Sequence, residues 1–383
     1  MEMLDLTKIN KRNIENKNNN STIGTVAVIS SRSHVSAGVM TQIRVNGCHD
    51  IIQVNKFFND IIDDKELTSS EYLIVDIEDF NDVDAIQQKI KYLFPAATKK
   101  IFIGDVDSIT FSNEMKRIGA VYLHLDSQIT LLGVTLKNFE TDVTSVSYTQ
   151  RISILGCKGG SGTSFVAYQF FRSICGLSHL PVLLVQGHTG TPDLDLISDT
   201  ALQHDGVISY IDANRGMKIA TDEEQWQFDS DEYKNYNIVV FDHNVTTQVR
   251  DKLAYIVPGS DFIFIVVTRE LSSVRNARLI IDELERTTTT SDNQKKNSKN
   301  IIILNENHHS RPNELNKEDI ENYLGKKIDI VHPYIKDVKK TDNKSELYFF
   351  TAKMLGKNMK GEKPDGNKKG LSIFSIFNKK KNN

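Results

Sequence analysis

The run Ile152-Ser153-Ile154-Leu155-Gly156-Cys157-Lys158-Gly159-Gly160-Ser161-Gly162-Thr163-Ser164 constrains this chain more than any other stretch. An apolar segment feeds a glycine-rich turn, and a helix-like segment, Phe165 to Cys175, follows it. Such a turn lets backbone N–H groups close around phosphate oxygens, and the helix N-terminus adds its positive dipole end. The ordinary phosphate-binding pattern, G-x-x-x-x-G-K-[ST], puts a lysine directly after the last glycine, where it reaches the β/γ-phosphates. Here Thr163 holds that place, Cys157 holds the first glycine place, and Lys158 stands near the front of the loop. The loop speaks for nucleotide binding more than for nucleotide cleavage.

A chain of 383 residues has room for two domains whose cores need no covalent staples. Its hydrophobic share of 39% and charged share of 25% are those of a soluble globular protein. A net charge of −3 argues against a nucleic-acid coat. Cys48, Cys157 and Cys175 are odd in number and far apart, which suits a reducing cytoplasm and no disulfide framework. Met1 to Ser21 is rich in Asn, Lys and Glu and does not read as a signal peptide. No uncharged apolar run approaches the roughly 20 residues that span a bilayer.

The alternation of apolar runs with amphipathic stretches predicts two α/β halves. Residues 1–22 read as a disordered leader. In the first half, strands are expected at Thr25–Ser30, Asp50–Val54, Tyr72–Ile77, Lys100–Gly104 and Ala120–Leu123. Helices are expected around Ala37–Val45, Lys56–Asp63, Val83–Leu93, Ser112–Ile118 and residues 128–138. That pattern is a small doubly wound parallel sheet over 23–138, with a polar linker at 139–150. The second half, 151–355, predicts strands at Ile152–Leu155, Val182–Val185, Asn237–Phe241, Phe262–Val267, Asn300–Leu304 and Asp329–Val331. Its helices are expected at Ser164–Cys175, Val249–Val257, Ser272–Arg286 and Lys317–Leu324, with a polar insertion over Thr287–Lys299. After Tyr334 the periodicity weakens, and residues 356–383 form a basic linker and short amphipathic tail.

In a phosphate-binding loop the hydroxyl after the lysine place binds Mg²⁺, and Ser164 fills that place. A second strand should end in a carboxylate that also holds the ion, as Asn237-Ile238-Val239-Val240-Phe241-Asp242 does. With these residues the second half resembles the MinD/ParA family of deviant-Walker ATPases. The family's loop, K-G-G-x-G-K-[ST], matches Lys158-Gly159-Gly160-Ser161-Gly162-Thr163-Ser164 at every fixed place but one. Asp193-Leu194-Asp195-Leu196 is similar to its first switch, and Val266-Val267-Thr268 with Arg275-Asn276-Ala277 to the strand and helix after its second. Ile303-Leu304-Asn305 resembles the strand end whose Asn contacts adenine, and His332-Pro333-Tyr334 the proline segment that closes the base pocket. The resemblance implies ATP and Mg²⁺ as cofactors, held by the loop, Asn305 and Pro333, with Ser164 and Asp242 on the metal. It also implies a homodimer in which Lys158 reaches the partner's phosphates.

The departures bear on turnover. Where the family carries an Asp-x-Asp pair that positions the attacking water, this chain has Gln186, Gly187 and His188. Without the loop lysine, stabilisation of transition-state charge weakens, a term commonly worth several kcal/mol. Hydrolysis is therefore expected to be slow or lost, with no residue assigned a catalytic role. His188 reads as a surface histidine rather than a substitute base, and Lys158 is the residue that would partly replace the missing charge in a dimer.

The first half resembles a response-regulator receiver, with Asp76 at the phosphoacceptor place. The acidic pair expected after the first strand is replaced by Ser30-Ser31-Arg32, and the lysine after the fifth by His124-Leu125. Asp76 is accordingly read as structural and the unit as a docking pseudo-receiver. A pseudo-receiver joined to a MinD-like domain with a degenerate loop resembles the TadZ/CpaE proteins of Flp-type (tight adherence) pilus assembly. That resemblance implies a dimeric scaffold that recruits pilus components, including the secretion ATPase, at the inner membrane or cell pole. An active MinD/ParA-type switch and a regulator phosphorylated at Asp76 are the rivals. Leu371 to Phe377, between Lys368-Lys369 and Lys379-Lys381, suits weak contact with an anionic membrane, a disordered tail or a partner-docking peptide. Nucleic-acid binding is disfavoured by the near-neutral charge.

Overall fold

The structure, a computed structural model, describes residues 24–144, 146–187, 190–224, 226–289, 298–309, 311–336 and 343–357. The leader, His188, positions 290–297 of the expected insertion and the segment Leu371–Phe377 lie outside the described residues. The chain divides into two compact units. One comprises the chain up to Ile61 with Ser69–Val83 and Thr98–Val146. The other comprises Ile62–Thr68, Asp84–Ala97 and the chain from Ser147 on.

In chain order the first half carries β1 (Val26–Ile29), α1 (Ser33–Val45), β2 (Ile51–Val54), β3 (Tyr72–Asp76), α2 (Val83–Leu93) and β4 (Lys99–Gly104). It continues with α3 (Ile109–Arg117), β5 (Ala120–His124), α4 (Leu125–Gln128) and α5 (Leu132–Asp142). The strands form one sheet in the order β2-β1-β3-β4-β5, every pair parallel. All four residues of β1 are buried, as continuous apolar runs in parallel sheets demand. Val26 and Val28 pack with Ile74, Ile101, Ile103 and the α1 residues Val35, Val39 and Ile43.

Two expectations for this half need correcting. No α-helix forms over Lys56–Asp63; short 3-10 turns at Phe58–Asp60 and Lys65–Ser69 stand there instead. Asn59, Asp60, Asp63 and Asp64 are residues whose side chains compete for backbone groups, and Asp64 Oδ1 indeed accepts the Glu66 N–H at 3.2 Å. Phe58 is buried in its own right, 5.1 Å from Phe80 and 6.2 Å from Phe102 between ring centroids. The last helix also starts later than residue 128 and runs to Asp142, so the polar connection is shorter than 139–150.

The second half comprises β6 (Gln150–Gly156), α6 (Thr163–Leu177), β7 (Val182–Gln186), α7 (Leu194–Ser198), β8 (Ser209–Asp212) and β9 (Arg215–Ile219). Then follow β10 (Ile238–Asn244), α8 (Val249–Gly259), β11 (Phe262–Val267), α9 (Leu271–Thr289), β12 (Lys299–Asn305), α10 (Lys317–Leu324), β13 (Ile330–His332) and α11 (Glu346–Met354). They make an eight-stranded sheet, β13-β12-β11-β6-β10-β7-β9-β8, parallel except for the β8–β9 hairpin. Residues of β11 alternate between the two faces. Ile263, Ile265 and Val267 pack with Leu253 of α8, Val274 and Ile281 of α9 and Ile320 of α10. Phe262, Phe264 and Val266 pack with Val166, Phe170 and Ile174 of α6 and Leu347 of α11.

The β8–β9 hairpin and α11 are additions to the expected elements. Lys218 breaks the apolar pattern of β9, yet its side chain is fully buried, ion-paired with Glu232 and 3.4 Å from Glu224. The edge strand β8 leaves Tyr210 and Ile211 exposed and carries a register shift between Tyr210 and Asp212. Ser345 caps α11 by accepting the Tyr348 N–H at 3.2 Å. No helix among the described residues is long and apolar enough to cross a membrane.

At the carboxyl end of the first sheet, Asp76 is fixed by a guanidinium. Its Oδ2 accepts from Arg32 Nε at 2.9 Å and from Ser30 Oγ at 2.6 Å, and its Oδ1 accepts from Arg32 Nη2 at 2.6 Å. Asp76 is buried and Arg32 half-buried, and the hydrogen bond to Asp76 raises the guanidinium pKa above its ordinary value. Removing one member of such a pair strands the other charge, at a cost of roughly 3 kcal/mol. Arg32→Ala is therefore expected to lower the urea midpoint, and Arg32→Ala with Asp76→Asn to recover much of the loss. Equal destabilisation in the single and double variants would show that the pair is not what anchors Asp76.

Candidate nucleotide-binding site

The sheet order turns about β6. The chain passes from β6 through α6 to β7 on one side and later returns to β11 on the other. The crevice beyond the carboxyl end of a strand at such a reversal is where open α/β sheets bind ligands. Here it is filled by the loop Cys157–Gly162, which ends in Gly162 as the N-cap of α6. Gly160 and Gly162 hold φ of +77° and +75°, the left-handed region that favours glycine. At Gly162 a Cβ would also lie 2.5 Å from Asn305 Nδ2. Gly162 offers α6 no side-chain cap and the first turn holds no acidic residue, so among the described residues the leading N–H groups of the helix keep their capacity to meet an anion.

A cavity of about 370 Å³ opens there, lined by the loop from Lys158 to Phe165 and by Gln186, Asp193, Asp242 and Asn244 among others. The structure thus gathers Lys158, Gly159, Gly160, Ser161, Gly162, Thr163, Ser164 and Asp242 at one place. Thr163, in the lysine place, spends its hydroxyl on Ser161 Oγ at 2.9 Å. Asn305 does not line the cavity. Its Nδ2 donates to the Ser161 carbonyl at 2.8 Å, and its Oδ1 lies 3.1 Å from His332 Nδ1, so the buried amide braces the loop from behind. Pro333 follows His332 and is not among the cavity's lining residues.

Other supports gave little signal in the sequence. Asn276 Nδ2 donates to the Cys157 carbonyl at 2.9 Å, and Asn307 Nδ2 to the Gly160 carbonyl at 3.0 Å. Lys158 forms an ion pair with Glu270 of the same chain. Both side chains are more than a third exposed, and pairs of that kind contribute about 0–1 kcal/mol, a hold that a phosphate can displace.

Gln186, at the end of β7, is the most heavily bonded side chain of the site. Its Oε1 accepts the N–H groups of Asp193 and Leu194, each at 3.0 Å. With the oxygen fixed by two donors, Nε2 must face the other way. It lies 2.7 Å from Asp193 Oδ1, 3.0 Å from Ser164 Oγ and 3.2 Å from Asp242 Oδ2. A hydroxyl and two carboxylates are ligands that Mg²⁺ would take. The centre they share is occupied by an amide nitrogen, however, and the arrangement does not fit Mg²⁺ between Ser164 and Asp242. Burial lifts the Asp242 pKa to about 6 against hydrogen bonds from Ser164 and Gln186, and the nearby Asp193 charge adds to the rise.

The next residue of β10 faces the opposite layer. His243 is buried between aromatic rings, stacked on Trp226 at 5.3 Å and on Phe241 at 6.0 Å, with Phe228 at 5.7 Å. Neither ring nitrogen has a hydrogen-bond partner among the described residues. A Cβ on Gly187 would lie 2.7 Å from Nδ1, which explains the glycine directly after Gln186.

No protein-family model matches the sequence. No curated protein matches it either. Among solved structures, the ParA family ATPase of Chlorobium tepidum TLS is 19% identical, with a TM-score of 0.40 over 54% of this chain and 97% of that one. A chain of the MinC:MinD cell division protein complex of Aquifex aeolicus is 20% identical, with a TM-score of 0.42 over 56% of this chain and 99% of that one. MinD complexed with Mg-ADP from Pyrococcus horikoshii OT3 is 16% identical, with a TM-score of 0.39 over 54% and 95%. The likeness thus spans little more than half of this chain.

Burial holds the His243 pKa down at about 3, with the Lys252 charge adding to the effect. Between the ordinary 6.5 and about 3 the unfolded chain takes up a proton that the folded chain refuses, so stability falls as pH drops through that window. Asp242 acts in the opposite sense between 3.8 and about 6, where the folded state keeps the proton. His243→Phe leaves the Asp242 contribution in place. It is expected to be at least as stable as wild type at neutral pH and to lose about 3 kcal/mol less between roughly pH 7 and pH 4. Urea unfolding across that range checks this, and parallel pH profiles for the two proteins would refute it.

Proposed function

We propose that the second unit binds an adenine nucleotide through the loop Lys158–Ser164 and turns it over slowly or not at all. The observation that carries this reading is the joint presence of an uncapped α6 N-terminus facing a cavity and Thr163 where a lysine would meet the terminal phosphates. Leading N–H groups and a dipole bind phosphate without any side-chain charge. Cleavage needs charge neutralisation as well as binding, and Thr163 supplies none. Gln186 carries no charge and spends both ends of its amide on Ser164, Asp193, Leu194 and Asp242. The likeness to the ParA and MinD structures adds no residue role.

The two-unit arrangement, with Asp76 clamped by Arg32, supports a wider reading as a scaffold of the TadZ/CpaE type in Flp-type pilus assembly. In that reading the first unit is a pseudo-receiver that docks a partner, and the protein acts as a homodimer recruiting the secretion ATPase at the inner membrane or pole. An active ATPase switch is the second reading, favoured by the Asp193 carboxylate at the cavity. Binding of a fluorescent ATP analogue and steady-state phosphate release, measured on the purified full chain, separate the two. Saturable binding with turnover at background supports the first reading. Sustained multiple turnover supports the second, and no binding at millimolar nucleotide refutes both.

The dimer has its own test. Lys158→Ala is expected to weaken nucleotide-dependent self-association by about tenfold in sedimentation velocity. Unchanged association would show that Lys158 stays with Glu270 rather than crossing to a partner's phosphates.

A further inference from the structure

We propose that the Gln186 carboxamide is a built-in replacement for the divalent cation, so that nucleotide binding at this site is independent of Mg²⁺. The inference rests on the nucleotide-binding reading above and concerns how that site is completed. Three oxygens suited to a hard cation, from Ser164, Asp193 and Asp242, converge on Nε2 within 3.2 Å. The two N–H protons serve three acceptors, so one is shared. A cation at that centre would have to expel the amide and break the two backbone hydrogen bonds that Oε1 accepts from Asp193 and Leu194.

Electrostatics point the same way. With no cation, a glutamate or aspartate at position 186 would add a third carboxylate to Asp193 and Asp242. The amide instead offers donors to both, and it carries no charge. Gln186 and Asp242 are both buried, so carboxylates left without donors or a counter-charge there would be costly. Gln186 is thus a positioning residue. It draws the start of α7 against β10 and presets the floor of the cavity before any ligand arrives.

The informative variant is Gln186→Glu, because it keeps the Oε1 acceptor for Asp193 and Leu194 and exchanges the donor nitrogen for a ligand oxygen. Fluorescent ATP-analogue binding to the full chain would be measured in millimolar Mg²⁺ and in EDTA, alongside thermal midpoints with and without Mg²⁺ in the absence of nucleotide. Wild type is expected to bind with affinities within about threefold in the two media, and its midpoint should not respond to Mg²⁺. Gln186→Glu is expected to bind at least about tenfold tighter in Mg²⁺ than in EDTA, with a midpoint that rises when Mg²⁺ is added. Wild-type affinity tenfold or more tighter in Mg²⁺ overturns this inference and leaves nucleotide binding standing. No binding in either medium refutes the nucleotide reading and this inference with it. The wild-type comparison decides the matter even where the variant does not fold.

Discussion

One buried carboxamide organises the unit that carries the glycine loop. Gln186 sits at the end of β7, fastens the backbone at the start of α7 through its oxygen, and meets β10 and α6 through its nitrogen. A buried polar group is tolerated when its hydrogen bonds are satisfied, and here the side chain satisfies both ends at once. The elements that line the cavity are therefore coupled through one residue. Had a carboxylate stood there, the same convergence would have required a counter-ion to hold it together.

Around that centre the site is braced almost entirely by neutral amides. Asn276, Asn305 and Asn307 each donate to a different carbonyl of the glycine loop, which ties the loop to α9 and to the end of β12. Carbonyls that are already occupied cannot turn inward to meet an anion, so bracing from behind also sets the polarity in front. The charged groups nearby, Lys158 and Glu270, neutralise each other at the rim. The cavity is thus framed by the dipoles of the glycine loop on one side and by the Asp193 and Asp242 carboxylates, both hydrogen-bonded to Gln186, on the other.

Much of the fold was legible because the central strands are apolar on both faces. Runs such as Val26–Ile29 and Phe262–Val267 admit few alternatives, and the glycines at 160 and 162 marked the turn. What stayed hidden had local causes. Lys218 masked β9 because a lone lysine reads as a solvent position unless Glu224 and Glu232 are known to fold against it. The acid-rich segment after Phe58 looked amphipathic, yet its short side chains preferred backbone partners to helix. Gln186 was visible only as a departure from an Asp-x-Asp pair. Its role depends on Ser164, Asp193 and Asp242 meeting in space, and no spacing in the sequence encodes that meeting. Asn305 stood out at its strand end as a base contact, but its amide is spent on Ser161 and His332.

The hairpin that ends the eight-stranded sheet has a bearing on solution behaviour. A bare outer strand offers its unpaired N–H and C=O groups to any neighbouring molecule, and Tyr210 and Ile211 lie uncovered on that strand. The slip in register between Tyr210 and Asp212 twists the strand out of line, and the ion pair of Asp212 with Arg215 places charge at its end. Irregularity of this kind interrupts the ladder that a second molecule would need in order to extend the sheet. Straightening that strand would remove the interruption and leave its exposed apolar side chains on an edge that favours intermolecular pairing.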